Sequence, residues 1–240
     1  MNAFKKLPIS AEVAYLIGTF LLGWGTSWMT LADFGVSMIV APAYMIFLKL
    51  SHTFTFLTFG MTQYLLQAVM LLVMIVVLRR FRWTYLLAFA NAVMQGVVLD
   101  ITSWVTLRLP IDLTVLPVRL ILYCVGIALT TLGVAFMFRT YLSPAVYELI
   151  VKEVADHFHL RLNRVKISYD ITSYLTGLLF SFLFFGFTDP QGIRIGTLLV
   201  ALINSTCINM MGKLIDRFFV LHDALPWRPY FTAKNAGGTQ

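Results

Sequence analysis

Residues 30–50 read TLADFGVSMIVAPAYMIFLKL. Between Asp33 and Lys49 the stretch carries no charge and is mostly apolar, with Pro42 in its middle. It is too short to supply the ~20 residues a helix needs to cross a bilayer core. Pro42 lacks a backbone donor and would break a helix interior, so its surroundings need protein or water to satisfy them. The stretch therefore reads as a re-entrant or interfacial segment, with Asp33, Ser37 and Pro42 marking the break. A second short segment, residues 143–158, sits at nearly the same place in the other half of the chain.

Composition sets the solvent around these segments. Across 240 residues the hydrophobic fraction is 59% and only 12% are charged, against ~25% in an ordinary soluble domain. The mean hydropathy is +0.82. This is a polytopic membrane protein whose core is its own helix bundle. Cys124 and Cys207 fall inside apolar runs without C-x-x-C spacing, so neither a disulfide framework nor a zinc site is signalled. No cleavable leader is apparent, and the first apolar run reads as a span that stays.

Charge-free intervals predict six transmembrane helices, over residues 13–32, 53–78, 83–99, 120–138, 171–188 and 195–212. Trp24, Trp28, Trp83 and Trp104 are assigned to aromatic belts near the span ends. With the N-terminus inside, all but Lys49, Arg108, Arg119 and Arg194 of the 18 Lys and Arg lie on the cytoplasmic side. Both termini are then cytoplasmic by the positive-inside rule. The net charge of +7 follows from topology, and no nucleic acid is needed to explain it.

Shifting the chain by 110 residues aligns Leu22 and Gly23 with Leu132 and Gly133, Thr30 with Thr140, and Val36 with Val146. The same shift pairs Leu50 with Leu160, and Thr62, Tyr64 and Leu65 with Thr172, Tyr174 and Leu175. A further shift of three pairs Thr84 with Thr197 and Asn91 with Asn204. Each half reads span, short segment, span, span, and three spans per half force the halves to face opposite ways. The predicted fold is therefore all-α, six spans as a 3+3 inverted repeat with one short helix per half. Residues 1–12 are a cytoplasmic N-terminus, 13–109 and 110–219 the two repeats, and 220–240 a cytoplasmic tail, making one membrane domain. In the second short segment Ser143-Pro144 is a good helix start. Val146, Leu149, Ile150, Val154 and Phe158 share one face, and Glu148, Lys152 and Asp156 another. A helix flat on the cytoplasmic surface and one dipping into the bundle both fit that pattern.

Polar groups within spans usually face the bundle interior or a cavity, because hydrocarbon penalises them. Gly60, Gln63, Tyr64 and Gln67 fall on one face of the second span. Their repeat mates Asp170, Ser173, Tyr174 and Gly177 form the equivalent face of the fifth. The two stripes are expected to meet across the bundle centre as a solute site, joined by Asn91 and its mate Asn204. The bland alternative is interhelical hydrogen bonding that only holds helices together. Asp170, Asp100 and Glu148 are the candidates for ion coupling. Against this stand ordinary roles: Asp170 as a helix N-terminal charge, Asp100 paired with Arg119, and Glu148 paired with Lys152. Gln95 shares a face with Asn91, and Gly23, Gly126, Thr130 and Gly133 read as small packing positions.

No catalytic constellation is visible, and no metal or cofactor is expected: there is no Gly-rich phosphate loop, H-E-x-x-H or G-x-S-x-G. His157 and His159 near Glu153 and Asp156 read as a solvated surface. The chain resembles the YczE/YitT-like family of bacterial inner-membrane proteins. The resemblance rests on DFGVSMIVAPAY (33–44), FGMTQYLLQA (59–68), RRFRWTYLLAF (79–89), YLSPAVYELIVKEV (141–154), YDITSY (169–174), FFGF (184–187) and IGTLLVALIN (195–204). It implies a multi-pass protein of the cell membrane with about six spans and no assigned biochemical activity. Gln63 departs from the acidic residue expected there in similar sequences. The expected function is secondary transport of a small polar solute. Its partners are that solute and the lipid bilayer, with a homodimer as one assembly. The competing reading is a non-transporting scaffold or regulator that uses the charged inner face of residues 143–166; an intramembrane enzyme comes last.

Overall fold

The computed structural model describes residues 6–110, 112–142, 146–186 and 194–226. The expected helix start at Ser143-Pro144 and the tail from Trp227 onward lie outside the described residues. Within them the chain is helical apart from one short strand near each end. The order is β1 (Leu7–Ser10), α1 (Ala11–Ala32), α2 (Ala41–Leu50), α3 (Phe59–Leu78), α4 (Trp83–Thr106), α5 (Leu116–Met137), α6 (Val146–His157), α7 (Leu162–Phe185), α8 (Ile195–Phe218) and β2 (Phe219–His222). Five of the described helices, α3, α4, α5, α7 and α8, are long and apolar enough to cross a membrane. The chain is thus a multi-pass membrane protein by length and composition.

The sixth expected span, α1, has the length but falls outside that set of five. Its position supplies the reason. Gly18, Thr19, Gly23, Gly25 and Ser27 are buried against other helices, and a helix sheathed in protein has less need of an apolar surface than one facing lipid. α1 packs along α5 and α4. A Cβ on Gly25 would lie 2.6 Å from the Gly126 carbonyl oxygen, and one on Gly18 would lie 2.7 Å from that of Gly133. Small residues let the two backbones touch. These two glycine pairs run in opposite directions along α1 and α5, so the helices are antiparallel.

α3 packs on α4 through a third glycine contact, Gly60 on Gly96. α8 packs on α5, while α7 lies against the two short helices, α2 and α6. Among the described residues α7 and α8 share no packing comparable to that of α3 and α4. α6 is wedged rather than flat. Val146 and Leu149 join a core with Leu71, Met74 and Tyr85 of α3 and α4, and Val151, Glu153 and Ala155 on its other sides are also buried. Arg82 holds Glu153 at 2.8 Å.

Several helices outrun the charge-free intervals because the charges beyond them are partnered. α4 continues past Asp100, whose carboxylate accepts hydrogen bonds from Thr58 Oγ1 (2.6 Å) and the Gly60 backbone N–H (2.7 Å). α8 continues past Asp216, which takes a two-pronged contact from Arg139 at 2.6 and 2.7 Å. In the other direction, α3 begins only at Phe59, capped by the Thr58 hydroxyl. At the chain ends β1 and β2 pair in parallel. Glu12 accepts from Tyr141 Oη and from the backbone N–H groups of Ala224 and Leu225. The chain just beyond residue 219 is therefore tied to the bundle.

Candidate functional site

The broken stretch enters the bundle from the α1 end. Asp33 closes α1 in a left-handed conformation and pairs with Arg194 at 2.9 Å and Arg119 at 3.4 Å. Arg119 Nε also caps α1 by donating to the Ala32 carbonyl. Asp100, busy with α3, is not the partner of Arg119; Asp33 is. Gly35 follows at a φ of 124°, where a Cβ would strike Thr197 of α8, and the Gly196 N–H donates to the Phe34 carbonyl. The chain then runs through Ser37 to Val40 before α2 begins. Pro42 sits in the first turn of α2, where no intrahelical donor is required of it. The proline thus starts a helix instead of interrupting one.

Two cavities that share lining residues lie beyond. The smaller, about 110 Å³, is bounded by Thr26 of α1, Ser37 to Val40, Thr130 of α5, Tyr147 and Glu148 of α6, Lys166 and Asp170 of α7, and Asn204 and Ser205 of α8. The larger, about 240 Å³, shares Ile39, Tyr147, Glu148, Lys166 and Asp170 and continues to Lys152 and Leu162. The N-terminal ends of both short helices therefore face one space. Helix N-termini present unpaired N–H groups and a partial positive charge.

Charge is concentrated at the junction. Glu148 is half-buried, and burial pushes its carboxyl up to about 7; the Lys166 ammonium opposes that rise and Asp170 adds to it. Asp170 Oδ1 is buried without a hydrogen-bond partner among the described residues. Lys166 Nζ lies 5.7 Å from the Phe138 ring centre, at the cavity wall. Two carboxyl groups and the Lys166 ammonium share this junction, with Lys152 on the wall of the larger cavity. The i, i+4 spacing places Lys166 and Asp170 on one face of α7.

The sequence-predicted residues divide into two groups. Glu148, Asp170, Asn204 and Ser37 line the cavities. Tyr174 packs on Val36 and Ala41 of the broken stretch, and Ser173 is buried beside it. Gln63, Gln67, Asn91 and Gln95 are buried elsewhere, on α3 and α4, with Tyr64 against Gly96. Among the described residues α3 and α7 share no broad packing, while α2 and α6 each pack against both. A closer approach occurs where Tyr169 Oη donates to Met70 Sδ at 3.6 Å. Tyr147, Ser205, Thr26 and Thr130 were not singled out as lining residues. They come from four different helices, α1, α5, α6 and α8, and the sequence offers no signal for their meeting beyond Ser205 following Asn204.

Comparison with known proteins adds a family and no activity. No curated protein and no solved structure matches the chain. A family model described as a family of unknown function, DUF6198, matches residues 9–213. That match covers most of the sequence, including the broken stretch and the cavity-lining residues, and the chain belongs to this family.

Proposed function

We propose that the protein is a secondary transporter that moves a small polar solute by alternating access around the α6–α7–α8 cavity. The observation that carries this reading is the shared space at the N-terminal ends of α2 and α6, where Glu148, Lys166 and Asp170 gather with Asn204. Short broken helices meeting at a polar cavity are the recurrent design of such transporters. Volumes of about 110 and 240 Å³ suit a small solute. Glu148 and Asp170 would couple movement to protons, while Asn204, Ser205 and Ser37 would contact the solute.

The six-span, 3+3 inverted-repeat reading draws support from packing. Exchanging α1 with α5, α2 with α6, α3 with α7 and α4 with α8 turns the α1–α4 contact into α5–α8. It also turns α2–α3 into α6–α7 and α2–α7 into α3–α6; all six packings occur. With both termini cytoplasmic by positive charge, the larger cavity opens inward, in a bacterial inner membrane. The Asp33–Arg119–Arg194 cluster would then seal the outer end. The resemblance to the YczE/YitT-like proteins agrees with this architecture and supplies no solute. The scaffold reading is weaker, since Glu148 faces the cavity and Glu153 is held by Arg82.

The test is a thermal-shift screen of purified protein against metabolites at two pH values. A ligand at a hundred times its dissociation constant adds about 2.7 kcal/mol to stability. A hit that disappears in Asn204→Ala or Asp170→Asn supports the site. Hits that survive both substitutions, or none across a broad library, overturn it.

A further inference from the structure

The exchange symmetry has one large exception. α3 and α4 are closed on each other at Gly60 and Gly96, whereas their counterparts α7 and α8 are parted around the cavity. The closed pair nevertheless buries an unusual quantity of unsatisfied polarity. Gln63 is 8% exposed, Gln67 4% and Gln95 3%. Gln63 Oε1, both side-chain polar atoms of Gln67, and Gln95 Oε1 have no hydrogen-bond partner among the described residues. Gln95 Nε2 reaches Asn91 Oδ1 only at 3.5 Å.

Register places these groups together. The antiparallel alignment that sets Gly60 on Gly96 also brings Leu71 into one core with Tyr85. Between those two levels lie Gln63 and Gln67 on α3, and Asn91 and Gln95 on α4. Carboxamides that served only to hold helices together would pair with each other, because a buried polar group without a partner is costly. Glutamine offers a donor and an acceptor with no charge, which is complementary to a neutral solute bearing hydroxyl or amide groups.

We propose that this carboxamide set is a second solute station, for a neutral hydrogen-bonding solute, which opens outward when α3 and α4 part as α7 and α8 are parted here. The inference rests on the transporter reading and specifies its outward-facing state. The repeat supplies the correspondence: Asn91 is the mate of the cavity-lining Asn204, and Gln63 and Gln67 follow Gly60, the mate of Asp170. Asp100 is the latch. Its carboxylate holds Thr58 and the Gly60 N–H at the outer end of the α3–α4 contact, so the helices separate only when those bonds break. The charged residues of the inner cavity are left for coupling, and the solute itself needs no charge.

The experiment uses full-length protein with Cys124→Ser and Cys207→Ser, in membrane vesicles of both orientations. Gln67→Cys is introduced as the reporter of the station and Ser205→Cys as the reporter of the inner cavity. Each is treated with a membrane-impermeant maleimide. The station is supported if Gln67→Cys is modified from the outside and adding Asp100→Asn accelerates that modification about tenfold, as expected for losing a charge-assisted bond. It is overturned if Gln67→Cys is never modified from outside, with or without Asp100→Asn, while Ser205→Cys is modified from inside. That outcome leaves the inner cavity standing. Silence at both positions removes the transporter reading as well. Should the cysteine-free protein not fold, hydrogen exchange on the unmodified chain replaces the labelling. Protection over residues 60–67 and 91–96 well below that of α1 supports the opening, and equal protection overturns it.

Discussion

At the scale of single residues, Glu148 is the group whose protonation the fold controls most directly. Burial among Tyr147, Phe138 and the α7 side chains raises its carboxyl from an ordinary 4.5 to about 7. Between those values the folded protein holds a proton that the unfolded chain has released. Unfolding therefore loses protons, and stability falls as pH rises through that window, then levels off above it. Glu148→Gln keeps the shape and removes the charged form. The variant should match the parent near pH 4 and exceed it near pH 8, by roughly 1–3 kcal/mol. Melting temperatures of both proteins at the two pH values check this. A parent whose difference from the variant is independent of pH would place Glu148 in water. Sequence reading identified Glu148 as an ionisable candidate within the second short segment. The cause of its shift was not legible, since Phe138, Ile39 and Tyr147 come from three separated parts of the chain.

At the scale of elements, the glycines carry the architecture. α1 and α5 cross with backbones in contact at Gly18–Gly133 and Gly25–Gly126, and α1 in turn contacts α4, with Gly23 under Val98. A side chain at Gly25 would meet the Gly126 carbonyl and the backbone of Thr130, neither of which is a flexible end. Gly25→Val should cost about 1–3 kcal/mol or more by overpacking, read as a lower melting temperature and a reduced folded yield. Gly186, by contrast, has nothing within 4 Å of a built Cβ, although its φ of 82° strains any other residue there. The helices themselves were largely readable from apolar runs; of the glycine contacts, Gly126 and Gly133 were read as packing positions, whereas their partners Gly25 and Gly18 were not. Helix ends were less readable: the charge-free rule cut α4 at Asp100 and α8 at Lys213. Asp100 and Asp216 find partners only after folding, so charge in the sequence marked ends that the structure does not have. The span predicted over residues 13–32 corresponds to α1, although that helix has a less apolar sequence than the five other long ones. Its Gly, Ser, Thr and Trp content lowers its hydropathy because neighbouring helices, rather than lipid, surround much of it.

At the scale of the whole molecule, the inverted-repeat reading makes the α3–α4 and α7–α8 arms one design in two arrangements. One is closed by Gly60 on Gly96 and the Asp100 latch; the other is parted, with Asp170 and Asn204 facing the gap. The alternating-access reading requires the second arm to close as the first does, and register says where. In the closed arm, residues 63 and 94 stand at nearly the level set by Gly60 on Gly96. The repeat shifts of 110 and 113 carry those positions to Ser173 and Cys207. Ser173→Cys in a Cys124→Ser background therefore puts two thiols at facing levels of α7 and α8. In the parted arrangement they should resist mild oxidation. Any solute or pH change that favours the outward-facing state should bring them together, giving an intramolecular disulfide seen as a mobility shift on a non-reducing gel. Once formed, that bond should abolish ligand-induced thermal stabilisation from the inner side, and reduction should restore it. A disulfide that forms at the same rate under every condition would mean that the arms do not exchange. The cavity would then be a fixed feature of this fold rather than one half of a transport cycle.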